Sequence, residues 1–138
     1  MRNRLVCSFP SESDSLSSNA IFGPIVWLLS VAFASGLAMA FIRFASDRPS
    51  PPWLAKLHGY AAVGAISLLG FAWTHAALPA AGQYGLIALL VAAAGGLLLN
   101  LGYHWRGRPL PEGLVFAHMS VAFIGVLIVG VVTLSLAA

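Results

Sequence analysis

Charge is the scarcest ingredient of this chain. Asp, Glu, Lys and Arg together make up 8% of its 138 residues, against 59% hydrophobic residues. That balance excludes an ordinary soluble domain, in which about a quarter of the residues carry charge. Cysteine is almost missing: Cys7 stands alone, so no intrachain disulfide can form and no CxxC or Cys/His zinc spacing exists. There is no Ser-His-Asp arrangement, glycine-rich phosphate loop or HExxH motif, so hydrolytic catalysis is not expected. No charged residue falls at the middle of any apolar run. Proton-coupled exporters and pumps usually need a buried carboxylate there, and a transporter is disfavoured on that ground.

What is present in abundance is apolar sequence in four long runs, about Ile21 to Phe44, Pro52 to Ala77, Tyr84 to His104 and Glu112 to Leu136. Each is near the roughly 20 residues that cross a bilayer as a helix. Backbone groups in lipid must satisfy one another, which makes helices the expected structure for runs this apolar. The expected architecture is therefore an all-α integral membrane protein, an up-down four-helix transmembrane bundle spanning residues 20–138. Residues 1–19 are polar and serine-rich and are expected to be a disordered tail. Leu5-Val6-Cys7 has the flavour of a lipoprotein signal, but the six residues before Cys7 cannot form its apolar segment. The first run is too long for a signal-peptide core and is expected to be retained as a membrane helix, with Pro24 in its first turn.

The chain also repeats itself at an offset of 60 residues. Arg48-Pro49-x-Pro51-x-x-Leu54-x-x-x-His58 returns as Arg108-Pro109-x-Pro111-x-x-Leu114-x-x-x-His118. Upstream, Val31, Ala32, Ala34, Gly36 and Leu37 return as Val91, Ala92, Ala94, Gly96 and Leu97; downstream, Ala62 and Gly70 return as Ala122 and Gly130. This is the pattern of a duplicated helical hairpin, with halves of about residues 21–78 and 81–138, related by an axis along the membrane normal. Ala32-x-x-x-Gly36 and Ala92-x-x-x-Gly96 are small-xxx-small patterns, which let helix backbones approach closely. Packing accounts for them without any chemistry.

Charge location sets the expected orientation. Arg43, Arg48, Lys56, Arg106 and Arg108 lie in or beside the two hairpin loops, whereas the connection between the second and third helices is uncharged. The positive-inside rule then places the hairpin loops in the cytoplasm and both termini outside. The basic balance needs no nucleic acid to explain it. Trp27, Trp53, Trp73 and Trp105, with Tyr84 and Tyr103, fall mostly towards run ends, as an interfacial aromatic belt requires.

The repeat puts two histidines, His58 and His118, at equivalent depth on two helices, each about 10 Å along from the loop end. In an up-down bundle those helices occupy diagonal corners. Two imidazoles facing across the diagonal can supply both axial ligands to one haem iron, a ligation that suits electron transfer. Small neighbours leave room for a flat macrocycle: Ala61, Ala62 and Ala65 on one face, Val121, Ala122 and Gly125 on the other. Arg48 and Arg108, with Arg106 and Lys56, are placed to pair with haem propionates. The competing reading is structural, with each imidazole bonded to a backbone carbonyl or to its twin; a pigment or a bare metal ion is a third. His104 lies in an interfacial cluster, Tyr103-His104-Trp105-Arg106, and has Phe44 as its counterpart. His75 is 17 residues from His58, which puts it on a different face. A second haem is therefore not expected, and a proton-gating or quinone-contacting role for His75 is the minor alternative. Asn100 and Thr74 are each expected to bond to a neighbouring helix.

Four membrane helices with His58 and His118 on two of them resemble the small bacterial b-type cytochromes of the cytochrome b561 kind. The resemblance implies haem b held by His58 and His118, residence in the bacterial inner (cytoplasmic) membrane, and electron transport with quinone or a redox partner protein. Such cytochromes often carry two haems; the one balanced histidine pair here implies a single one. The RPxPxxLxxxH phrase also resembles small bacterial membrane proteins, a likeness that implies no activity. The alternative function is a non-catalytic membrane subunit or assembly factor of a larger complex, with the histidine pair structural.

Overall fold

The computed structural model describes residues 12–46, 48–75 and 78–137. They form four helices: α1 Glu12–Ser46, α2 Pro52–His75, α3 Ala80–Leu98 and α4 Glu112–Ala137, with α3 continuing as a π-helix over Leu99–His104. All four are long and apolar enough to cross a bilayer, over Ile21–Ser46, Pro52–His75, Ala80–His104 and Glu112–Leu136. The protein is a multi-pass, all-α four-helix bundle.

Helix ends follow from local chemistry and repeat with the sequence. The carbonyl of Pro51 accepts from the amides of Leu54 and Ala55, and that of Pro111 from Leu114 and Val115. Each proline thus supplies the first acceptor of its helix while its own fixed φ suits the turn before it. α3 begins at Ala80, directly after Pro79, four residues earlier than expected. At this end the Gln83 side chain donates from Nε2 to the Leu78 carbonyl at 3.2 Å, and the Gln83 backbone amide donates to the Pro79 carbonyl at 3.2 Å. At the other end Gly107, at φ 60°, takes the left-handed conformation that a side chain resists. It lets the Arg108 amide reach back to the Tyr103 carbonyl at 3.0 Å, which ends the helix in a Schellman-type cap.

Two expectations at the start of the chain change. α1 begins at Glu12, so part of the tail expected to be disordered is helical; residues 1–11 lie outside the described residues. Extending a helix that already exists costs far less than nucleating one, and a long apolar helix can carry a polar turn or two with it. Pro24 in consequence sits inside α1 and not in its first turn. It removes one bond from the ladder, a loss that membrane helices tolerate when neighbouring groups compensate.

α1 packs closely along α2, and α3 along α4, so each half of the repeat is a tight antiparallel hairpin; the hairpins meet more lightly along the α1–α4 and α2–α3 seams. α2 and α4 lie on the diagonal, as an up-down bundle requires. The main apolar core joins all four helices at the end away from the loops. There Phe22, Ile25 and Leu29 of α1 meet Ala65 and Leu69 of α2, Leu86 and Leu89 of α3, and Val129 of α4. Glycine permits this approach: a Cβ on Gly85 would stand 2.8 Å from Val129 Cγ2, and one on Gly125 2.9 Å from Leu89 Cγ. In lipid no hydrophobic force drives helices together, so close van der Waals fit of this kind is what holds them. The outward faces are apolar, and all four tryptophans are more than half exposed, as lipid-facing anchors should be.

Candidate functional site

Towards the loop end the core gives way to the histidine pair. His58 of α2 and His118 of α4 converge across the diagonal with ring centres 6.2 Å apart and planes at 76°. Both are half-buried. Their surroundings repeat as closely as the sequence does. His58 Nδ1 lies 2.8 Å from the carbonyl oxygen of Ala32, and His118 Nδ1 lies 2.8 Å from that of Ala92. A carbonyl can only accept, so in both rings Nδ1 carries the proton and donates it. In the neutral ring this leaves Nε2 as the nitrogen with the lone pair.

A glycine sits under each ring. A Cβ on Gly36 would stand 3.0 Å from Cε1 and 3.1 Å from Nδ1 of His58, with Nε2 farther, at 4.0 Å; one on Gly96 would stand 3.0 Å from Cε1 of His118, with Nε2 at 3.7 Å. The Cε1 corner of each imidazole therefore lies closest to the glycine of its hairpin partner helix; for His58 the Nδ1 edge faces that glycine and Nε2 is farther, whereas for His118 Nδ1 and Nε2 are nearly level at 3.5 and 3.7 Å. The acceptor carbonyl and the glycine are one turn apart on that helix, so a single face of α1 or α3 supplies both. These groups were read from the sequence only as packing positions. The signal that they serve the histidines was the coincidence of Ala32-x-x-x-Gly36 and Ala92-x-x-x-Gly96 with the same repeat.

The arrangement is that of a pre-oriented pair of nitrogen donors. Histidines that bind a metal commonly give their other N–H to a carbonyl, which fixes tautomer and ring direction. Two imidazoles that would share one metal, each through a nitrogen about 2 Å from it, need ring centres roughly 6 Å apart; the observed 6.2 Å is of that size, with the rings edge to face. Among the described residues no group of three or more His, Cys, Asp or Glu side chains comes together. A bare zinc ion wants about four donors, whereas haem brings its four equatorial nitrogens and asks the protein for two. By donor count alone, the pair suits haem better than it suits an ion.

Other expected parts of the site fall elsewhere. Arg48 and Arg108 are exposed in the loops, on the same end of the bundle as the histidines, and Lys56 is exposed on the first turns of α2. Gly125 and Ala65, expected to leave room for a macrocycle, do not: Gly125 admits Leu89, and Ala65 is enclosed in the far-end core. Helix packing takes that space. His75 is exposed, stacked on Phe71 at 4.3 Å between ring centres, and takes no part in the pair. Thr74 bonds to the Gly70 and Phe71 carbonyls of its own helix instead of bridging to another. Asn100 and His104 lie on the π-helix, facing a groove between α2 and α3.

No family model matches this chain, and neither a curated protein nor a solved structure matches it.

Proposed function

We propose that the protein is a membrane b-type cytochrome that holds one haem between His58 and His118 and passes electrons within the membrane. The observation that carries this reading is the twofold tautomer lock: in both halves a helix carbonyl takes the Nδ1 proton, leaving two Nε2 lone pairs on rings 6.2 Å apart. Held there by His58 and His118, haem would supply one-electron chemistry. The chain's own residues supply the rest. The Ala32 and Ala92 carbonyls orient the rings; Gly36 and Gly96 give them room; the far-end core packs against one side of the pair. Arg48 and Arg108 are the partners proposed for the propionates, and the basic charge of the loops supports an orientation with that end on the cytoplasmic side of a bacterial inner membrane. Quinone or a redox protein would exchange the electron.

Haem titrated into the detergent-purified protein is expected to saturate at one per chain. His118→Gly is expected to lose the six-coordinate spectrum and regain it when free imidazole is added, since the small ligand can enter the space the ring has left. Saturation without a change in the haem spectrum, or no rescue by imidazole, would count against ligation by this residue.

A second reading has an observation of its own. The same two bonds, His58 to Ala32 and His118 to Ala92, each tie the two helices of one hairpin together. In a non-catalytic subunit or assembly factor of a larger complex, that fastening would be their whole purpose. Loss of hairpin stability in both histidine variants, with no haem bound by the parent protein, is its expected signature.

A further inference from the structure

The two seams between the hairpins are related by the repeat, yet they are built oppositely. Along α1–α4, Phe44 stacks on Phe116 with ring centres 5.3 Å apart, and Phe33 meets Phe123 at 6.0 Å. Sixty residues away, the counterparts of these four rings are His104, Lys56, Ala93 and Val63. Every aromatic of one seam is replaced by a small or a polar residue in the other. The α2–α3 seam is accordingly open, a groove of about 390 Å³ that includes Lys56, Tyr60, Asn100, His104 and Trp105 in its lining.

Its chemistry is one-sided. Lys56 brings an ammonium, Asn100 an amide N–H₂, Trp105 an indole N–H, Tyr60 a hydroxyl and His104 a ring N–H. No carboxylate is among the described residues that line it. The acidic residue nearest in register, Glu112, is the counterpart of Pro52 and belongs to the other seam. The helix itself is remade here. The Trp105 amide donates to the Asn100 carbonyl at 2.9 Å, five residues back, so the π-helical turn shifts His104 and Trp105 from the positions an α-helix would give them. Such turns recur at functional sites. Tyr60 and Trp105 are about three-quarters exposed, at the end of the bundle where the basic loops lie.

We propose that this groove binds the phosphate headgroup of an anionic membrane phospholipid. Basic pockets between transmembrane helices on the side of the positive loops are suited to such headgroups, and Gly59 and Val63, one and two turns farther from the loop than Lys56, continue the groove towards the region of the acyl chains. Of the groups weighed for a haem, the site shares only Lys56, which the proposed propionate partners Arg48 and Arg108 leave free, and it stands whether or not the histidine pair holds haem.

The test is thermal unfolding of the detergent-purified full chain with added dioleoyl phosphatidylglycerol, dioleoyl phosphatidylcholine or inorganic phosphate, alongside native mass spectrometry of lipid retained. Phosphatidylglycerol is expected to raise the unfolding temperature and to be retained over phosphatidylcholine, with no effect of free phosphate. Lys56→Gln is expected to reduce the preference roughly fivefold, and Lys56→Arg to keep it. The doubly substituted Lys56→Phe, His104→Phe chain rebuilds the aromatic pair of the other seam, so it should fold and show no preference at all. Equal retention of the two lipids by the parent chain would overturn the proposal, as would a preference that survives in Lys56→Gln or in the double variant. Stabilisation by inorganic phosphate alone would overturn the lipid assignment and make the groove a free-anion site.

Discussion

Within each hairpin the two halves of this protein are nearly the same; between the hairpins they are not. His58, Ala32 and Gly36 form one unit and His118, Ala92 and Gly96 its twin, with the same 2.8 Å bond in both. The seams that join the units differ throughout, aromatic on one side and open on the other. Duplication alone would leave both regions equally free to drift apart. That symmetry holds at the imidazoles and is broken a turn or two away argues for one centre that needs both halves and a flank that needs only one.

The sharpest way to break that comparison is to crowd the matched units. Gly36→Leu and Gly96→Leu each force a side chain into the space of an imidazole edge, and overpacking of this kind costs about 1–3 kcal/mol. Equal losses of stability are expected from the two variants in detergent unfolding; a large difference would show that the units are not equivalent. The seams should respond unequally. Phe116→Ala removes half of a stacked pair and is expected to cost on the order of 1 kcal/mol, whereas Lys56→Ala at the counterpart position should change stability by less than about 0.5 kcal/mol in the absence of anionic lipid. The smallest effect concerns a hydroxyl that only one of the units has. Ser35 Oγ shares its one proton between the Val31 carbonyl at 2.6 Å and the Ala32 carbonyl at 3.0 Å, the latter alongside His58, while its counterpart Gly95 offers no such donor. Ser35→Ala should therefore cost under about 1 kcal/mol and leave the His58 ring in place, which the ring proton shifts of labelled histidine would report.

Much of this was legible in the sequence, for physical reasons that differ from residue to residue. Four runs of sufficient length and apolarity leave lipid-embedded backbone little choice but helix, and short loops make neighbours antiparallel. The diagonal meeting of His58 and His118 followed from that topology and the 60-residue offset. The partners of the histidines were harder to see, because Ala32 and Ala92 act through backbone carbonyls that any residue possesses. Gly36 and Gly96 were visible but were read as helix contact only. The rooms expected beside Ala65 and Gly125 were misplaced, since a small residue shows that something approaches closely and not what approaches. The helix starts at Glu12 and Ala80 were missed because propagation from a stable helix overrides weak local preference. The open groove left a trace after all: comparing Phe33, Phe44, Phe116 and Phe123 with Ala93, His104, Lys56 and Val63 shows where the repeat departs from itself.

The central claim is that the two imidazoles hold one haem. Its most direct test is a reduced-minus-oxidised visible spectrum of the purified protein expressed with ample haem, beside His58→Ala and His118→Ala. The account predicts sharp bands of a six-coordinate haem b in the parent chain, and loss of that signature in both variants to the same degree. A featureless spectrum from well-folded parent protein, or bands that persist in either variant, would contradict it.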